Sequence, residues 1–157
     1  MPDQKPPRLQ GQERETVMAL LQFHRDSLVR KLDGVTDADA RWSPVDSGTS
    51  LLWLAKHMGR AEAIWVLGRF AGTDGALPDD TVGADDTLAD AVDTYRRVWC
   101  EVDAVVASAG LDDLCRNIGE ESNVNLRWVL MHLLEETARH AGHADMLREM
   151  IDGATGR

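Results

Sequence analysis

The sequence has no long apolar run. No stretch approaches the roughly 20 consecutive apolar residues that a membrane-spanning helix needs, so no membrane span is expected. Clusters of positive charge are also missing. Seventeen Lys and Arg face 27 Asp and Glu, giving a formal charge of −10. A phosphate backbone is bound by clustered Lys and Arg. Here the basic residues are interspersed with acids, so nucleic acid is not expected as a partner. Cysteine is scarce: Cys100 and Cys115 form neither a CxxC pair nor a disulfide framework. They read as two buried or free thiols of a reducing compartment. Residues 1–12 are polar and contain Pro2, Pro6 and Pro7, which rules them out as the apolar core of a signal peptide. A flexible tail over 1–12 and a cytoplasmic location are therefore expected.

Alternating runs of Val, Ile and Thr, the mark of strands, are absent too. What the 157 residues contain is helical periodicity, in a chain long enough for one real core and too short for two. The first pattern runs from about Glu13 to Leu32 and stops at Gly34. A turn-rich link over 33–48 follows. The second pattern starts at Thr49 or Ser50, either able to cap it, and reaches about Phe70. After a loop punctuated by Gly72, Gly75 and Pro78, a third runs over about 87–108 and ends at Gly110. Residues 111–123 are ambiguous between loop and a short extra helical turn. The fourth pattern, over about 124–152 with Gly153 as its stop, is the clearest. The expected architecture is all-α: a four-helix bundle forming a single domain over residues 13–153.

On the fourth helix, polar residues face the wrong way. At about 100° per residue, Leu133, Ala144, Leu147 and Ile151 fall within about 60° of Val129 and define the core face. Glu136, His140 and His143 lie on that same face, while Glu135, Arg139, Asp145 and Glu149 point toward water. A lone carboxylate or imidazole buried there costs several kcal/mol (an order-of-magnitude figure) unless it is paired or metal-bound. Glu136 and His140 are one turn apart, so their side chains can converge on one ion. His57, beside Leu54, Met58 and Ala61 on the second helix, is the best candidate for a ligand from a facing helix. Two imidazoles and a carboxylate make a three-ligand set with an open position, as used by catalytic zinc and by non-haem iron. A plain Glu–His hydrogen bond with a packed core histidine at 57 would produce the same pattern, and spacing alone does not separate the two.

The run Thr49-Ser50-Leu51-Leu52-Trp53-Leu54-Ala55-Lys56-His57 resembles the second-helix motif of the DinB-like bundle superfamily. The run from Leu126 to Asp145, which contains His132, Glu135-Glu136, His140 and His143, resembles its last-helix motif more closely still. The subgroup suggested is an actinobacterial one of unknown function, called mini-circle protein-like. The resemblance implies an antiparallel-type bundle with one metal ligand on the second helix, at His57, and two on the last. The last-helix pair is usually two histidines; here it is Glu136 and His140, as in the metal-binding domain of mycothiol-dependent maleylpyruvate isomerase. That relative carries a further C-terminal domain, so maleylpyruvate isomerisation itself is not expected.

The resemblance further implies a divalent metal, with zinc first and nickel, iron or manganese as alternatives, and a low-molecular-weight thiol such as mycothiol. The function expected is that of a metal-dependent thiol S-transferase or isomerase acting on an electrophilic substrate. The alternative is a non-catalytic, stress-related bundle that binds a metal or ligand. His143 is the candidate catalytic, proton-transferring residue. His132 is a candidate for orienting Glu136. His24 reads as a packed core histidine, and Trp53, Trp65, Trp99 and Trp128 as core and pocket wall. A homodimer remains open.

Overall fold

The computed structural model of the chain describes residues 4–119 and 123–156. Residues 1–3 of the expected tail and 120–122 of the ambiguous link lie outside them. Four long helices form where the apolar periodicity places them: α1 (Glu13–Leu32), α3 (Leu51–Glu62), α4 (Leu88–Ser108) and α5 (Leu126–Asp152). A short α2 (Asp37–Arg41) occupies the first link, which the sequence reading treated as turns only. Ser50, Thr87 and Asn125 cap α3, α4 and α5 by accepting from the amides of Trp53, Asp90 and Trp128 at 3.1, 3.1 and 3.0 Å. Gly153 ends α5 at φ 76°, a left-handed conformation that L side chains resist.

The second long helix departs from the uniform α-helix expected of it. From Ala63 to Phe70 it continues with π-helical, i→i+5 hydrogen bonding, seen in Ala71 N–H donating to Val66 O at 2.8 Å. Apolar spacing does not distinguish the two forms over so short a stretch. The 111–123 link forms no extra helical turn among its described residues. Leu114 instead pairs with Asn125 in an isolated antiparallel bridge.

Side-chain contacts fix the helix directions. At the start of both α1 and α5, Arg127 Nε meets Glu13 at 2.7 Å, and near their ends Arg148 donates to the Lys31 carbonyl at 2.9 Å. These two helices therefore run parallel. Lys56 near the start of α3 reaches Asp86 just before α4 at 2.5 Å, and Glu62 at the end of α3 accepts from Tyr95, a third of the way along α4. Those two also run parallel. The pairs oppose each other, since His57 neighbours His140 whereas Trp65 neighbours Trp128.

Two parallel neighbours in sequence demand a connection that returns along the bundle. Residues 71–87 are that crossover. They descend beside α3, with Pro78 against Arg60, Asp80 against His57 and Thr81 against Lys56.

The core divides into two apolar clusters. One gathers Leu28, Leu51, Leu54, Met58 and Ala144, the other Leu21, Val66, Val102, Val129 and Leu133. Each fully buried Leu contributes about 1.5–3 kcal/mol. Between the clusters lies a polar layer. Arg25 and Glu62 are both 0% exposed and form a two-point ion pair at 3.0 and 2.5 Å, with Tyr95 donating to Glu62 at 3.2 Å. Arg25 also reaches Asp103 at 2.9 Å.

Of the four tryptophans read as core and pocket wall, none is fully buried, and Trp65 lines a cleft. Trp128 is 44% exposed, and Trp53, Trp65 and Trp99 are half-buried. They flank the helices at surfaces and clefts, because close-packed interhelical layers favour Leu, Val and Ala over a ring of that size. No described helix is long and apolar enough to cross a membrane.

Candidate metal centre

α3 and α5 cross with opposite directions, and this brings His57 against the middle of α5. His57, Glu136 and His140 each present a donor atom, and the three atoms lie within 4.8 Å of one another. His140 Nε2 is 3.3 Å from Glu136 Oε2, as expected of residues one helical turn apart. The His57 and His140 rings meet edge to face at 5.1 Å. Trp53, one turn before His57, stacks on its ring at 4.4 Å and limits its rotation. The three side chains are thus brought together from two helices, and a single cation can satisfy all three donors.

The sequence reading missed the partner that orients His57. Asp80, on the crossover, accepts from or faces His57 Nδ1 through Oδ2 at 3.2 Å, and its other oxygen lies 3.5 Å from Arg60 Nε. With Nδ1 so engaged, Nε2 of His57 is the nitrogen left for a ligand, the usual arrangement of a metal-binding histidine backed by a carboxylate. The crossover is itself held in place by cations. Lys56 binds Asp86 and the Thr81 carbonyl, Arg60 the Pro78 carbonyl, and Arg41 the carbonyls of Gly83, Ala84 and Asp86. No local pattern marks Asp80 among 27 acids. Only the antiparallel run of the crossover beside α3 selects it.

His140 is 8% exposed, and burial together with the nearby His57 ring lowers its pKa from 6.5 to about 4. Glu136 pulls the other way but does not prevail. The imidazole is therefore neutral at physiological pH, which is the form that donates a lone pair to a metal. Glu136 is half-buried and is also bound by Arg139 at 3.0 Å.

The remaining candidates separate. His143 lies outside the converging set and meets His140 Nδ1 through its own Nδ1 at 3.2 Å. His132 stacks on Trp128 at 5.0 Å and meets Trp65 edge to face at 4.8 Å, so its ring belongs to an aromatic group beside the centre. His24 is half-buried against Phe23, and burial lowers its pKa. A cleft of about 350 Å³ runs from His57 and Glu136 past Asp80 to Trp65, Arg69 and His132.

The mycothiol-S-transferase family model matches residues 16–153, which includes α1 from Thr16 onward, the other long helices and every residue of this centre. The chain belongs to the mycothiol-S-transferase family. Membership agrees with the DinB-like resemblance carried by the second- and last-helix motifs. A solved structure described as a conserved protein of a locus from Enterococcus faecalis is similar to this family member at a TM-score of 0.70. The two chains are 17% identical, and the match covers 92% of this chain and 99% of that one, which supports the shared fold. Among curated proteins, none matches this mycothiol-S-transferase family member.

Proposed function

We propose that the protein is a metal-dependent thiol S-transferase, in which His57, Glu136 and His140 hold one divalent ion and mycothiol or a similar small thiol is the sulfur donor. The observation that carries this reading is the convergence of three donor atoms from two helices within 4.8 Å, with His57 backed by Asp80. Family membership supports the thiol. Zinc suits the mixed imidazole and carboxylate set, and nickel, iron and manganese are the alternatives. When bound, such an ion acts as a Lewis acid that lets a thiol ionise near neutral pH.

The chain's own residues do the rest. Asp80 takes the Nδ1 proton of His57 in a hydrogen bond and so selects the tautomer that presents Nε2. His143 does the same for His140: the two Nδ1 atoms are 3.2 Å apart, so one must donate and the other accept. With neutral His140 as the donor, His143 keeps its proton on Nε2, and through that edge it serves as the proposed proton-transfer group. The thiol loses its S–H proton, and the sulfur electron pair forms a C–S bond to the electrophilic carbon. The leaving group departs with the electrons of its former bond, or, in an addition, the carbon–carbon π pair takes up a proton.

The test is metal content by elemental analysis of protein purified without a metal-affinity tag, followed by cobalt substitution. His57→Ala and His140→Ala each bring metal to background while far-UV circular dichroism stays helical. Asp80→Ala weakens metal affinity by roughly 10–100-fold. Cobalt-loaded protein changes its visible absorption on adding a thiol, and Glu136→Gln weakens that change. A loaded protein whose spectrum ignores thiols points to the non-catalytic bundle instead.

A further inference from the structure

The outward face of α5 is not explained by the bundle. This helix turns Glu136 and His140 toward α3 and Arg148 toward α1, and the side left over should be polar. At about 100° per residue, its midline holds Trp128, Met131, Glu135, Gly142 and Met146 within about 60° of arc, with Arg139 and Met150 along one edge. Trp128, Met131, Met146 and Met150 are 44, 52, 58 and 60% exposed, whereas α1, α3 and α4 expose no large apolar side chain. An apolar stripe on one helix alone marks a contact surface.

Gly142 lies inside a 27-residue helix, where glycine is a poor helix former. A Cβ added there would meet nothing within 4 Å, so packing within the chain does not call for its absence. A second backbone or side chain approaching α5 from outside does.

The stripe reads the same from either end. Trp128 with Met150, Met131 with Met146, and Glu135 with Gly142 are each centred on residues 138–139. A two-fold axis at that point lays α5 antiparallel on α5 of a second copy, the geometry in which residue i meets j and j meets i. Met131 then faces Met146 of the second copy, and Trp128 faces its Met150, a favourable sulfur–aromatic pair. Glu135 passes over Gly142, where no side chain obstructs it.

The charges fit the same axis. Arg139 holds its own Glu135 at 2.7 Å and Glu136 at 3.0 Å. In the antiparallel register, Glu135 of the second copy falls three positions ahead of Arg139, so each arginine is flanked by a carboxylate from either copy. A parallel register would set Glu135 on Glu135 and Arg139 on Arg139, like on like.

We propose that this face is the contact between two copies of the chain, an antiparallel pair of α5 helices about an axis at residues 138–139. The inference is independent of the metal and of the thiol. It bears on the cleft beside the metal centre all the same. Trp128 lies 5.2 Å from Trp65 and stacks on His132, two residues of the cleft lining, so Met150 of the second copy covers the outer edge of that wall. Four large apolar side chains on each copy place the contact among small, reversible interfaces rather than the obligate ones, which exceed roughly 2,000 Å².

Sedimentation velocity of untagged protein from about 1 μM to about 1 mM tests this, the range over which small interfaces associate. A 17.3 kDa monomer is expected to give way to a dimer as concentration rises. Met131→Lys and Met146→Glu each raise the dimer dissociation constant at least about tenfold, with the helical circular dichroism unchanged because both side chains are exposed. Mixing the two variants restores the dimer, since position 131 of one chain meets position 146 of the other. One contact becomes an ion pair while its symmetry mate stays Met on Met. Gly142→Leu also weakens the dimer without lowering the stability of the monomer in urea. A protein that stays monomeric throughout the range overturns the proposal, and so does a dimer that both single variants leave intact. Variants that lose the dimer singly and are not rescued by mixing overturn the axis at 138–139.

Discussion

Two clusters of ionisable side chains join the same pair of helix layers, and they are built on opposite principles. In the Arg25–Glu62–Tyr95 layer, positive meets negative at 2.5 Å and every principal charge finds its counterpart inside the protein. In the His57–Glu136–His140 cluster, three lone-pair donors face one another, and burial together with the nearby His57 ring lowers the proton affinity of His140. His57 and Glu62 lie barely more than one turn apart on the same helix, but Glu62 is fully buried whereas His57 is only partly so. A cluster that balances its own charge acts as a strut. One whose lone-pair donors converge is the place of the proposed cation.

The largest effect should come from breaking the balanced cluster. Arg25→Met leaves Glu62 buried and unpaired, and should lower unfolding free energy in urea by about 3–5 kcal/mol. The double variant Arg25→Met/Glu62→Leu should recover most of that loss, because no lone charge remains. A single variant as stable as the wild type would show that the layer is not a buried ion pair in solution.

Next in size is the receiving cluster. A cation present at about 100 times its dissociation constant stabilises the native state by about 2.7 kcal/mol, so stripping it with a chelator should lower the melting temperature. An unchanged melting curve after verified removal would mean that the cluster holds no ion of consequence.

The smallest effect is that of pH on the metal-free protein. His140 titrates near pH 4 when folded, against 6.5 for a free imidazole. Between those values the unfolded chain binds more protons, so stability should be complete above about pH 6.5 and decline as pH falls toward 4. His140→Asn should flatten that slope, and an identical slope in wild type and variant would assign it to another group.

Much of this was readable in the chain itself. The four long helices, a cap at Thr49 or Ser50, the Gly153 stop and the inward placement of Glu136 and His140 all follow from periodicity and local chemistry, which act over one or two turns. His57 followed only because a bundle needs a facing ligand, and its choice rested on an apolar face together with the resemblance. What escaped is non-local. Asp80 depends on the course of the crossover, and the parallel pairing of α3 with α4 depends on that same connection. Arg25 and Lys31, both buried, look like ordinary surface cations until their partners Glu62 and Asp145 arrive from distant elements. The π-helical segment has no apolar signature of its own, so the alignment of Trp65 with His57 is visible only in three dimensions.

The parallel pairing of α1 with α5 and of α3 with α4 has a consequence for how the molecule opens. Opening the molecule between the pairs would separate Arg25 from Glu62 as well as His57 from His140. His57 belongs to one pair, Glu136 and His140 to the other. A ligand gripped by all three acts as a rivet across that boundary, and its arrival should slow amide hydrogen exchange in both halves together, including turns far from the bound atom.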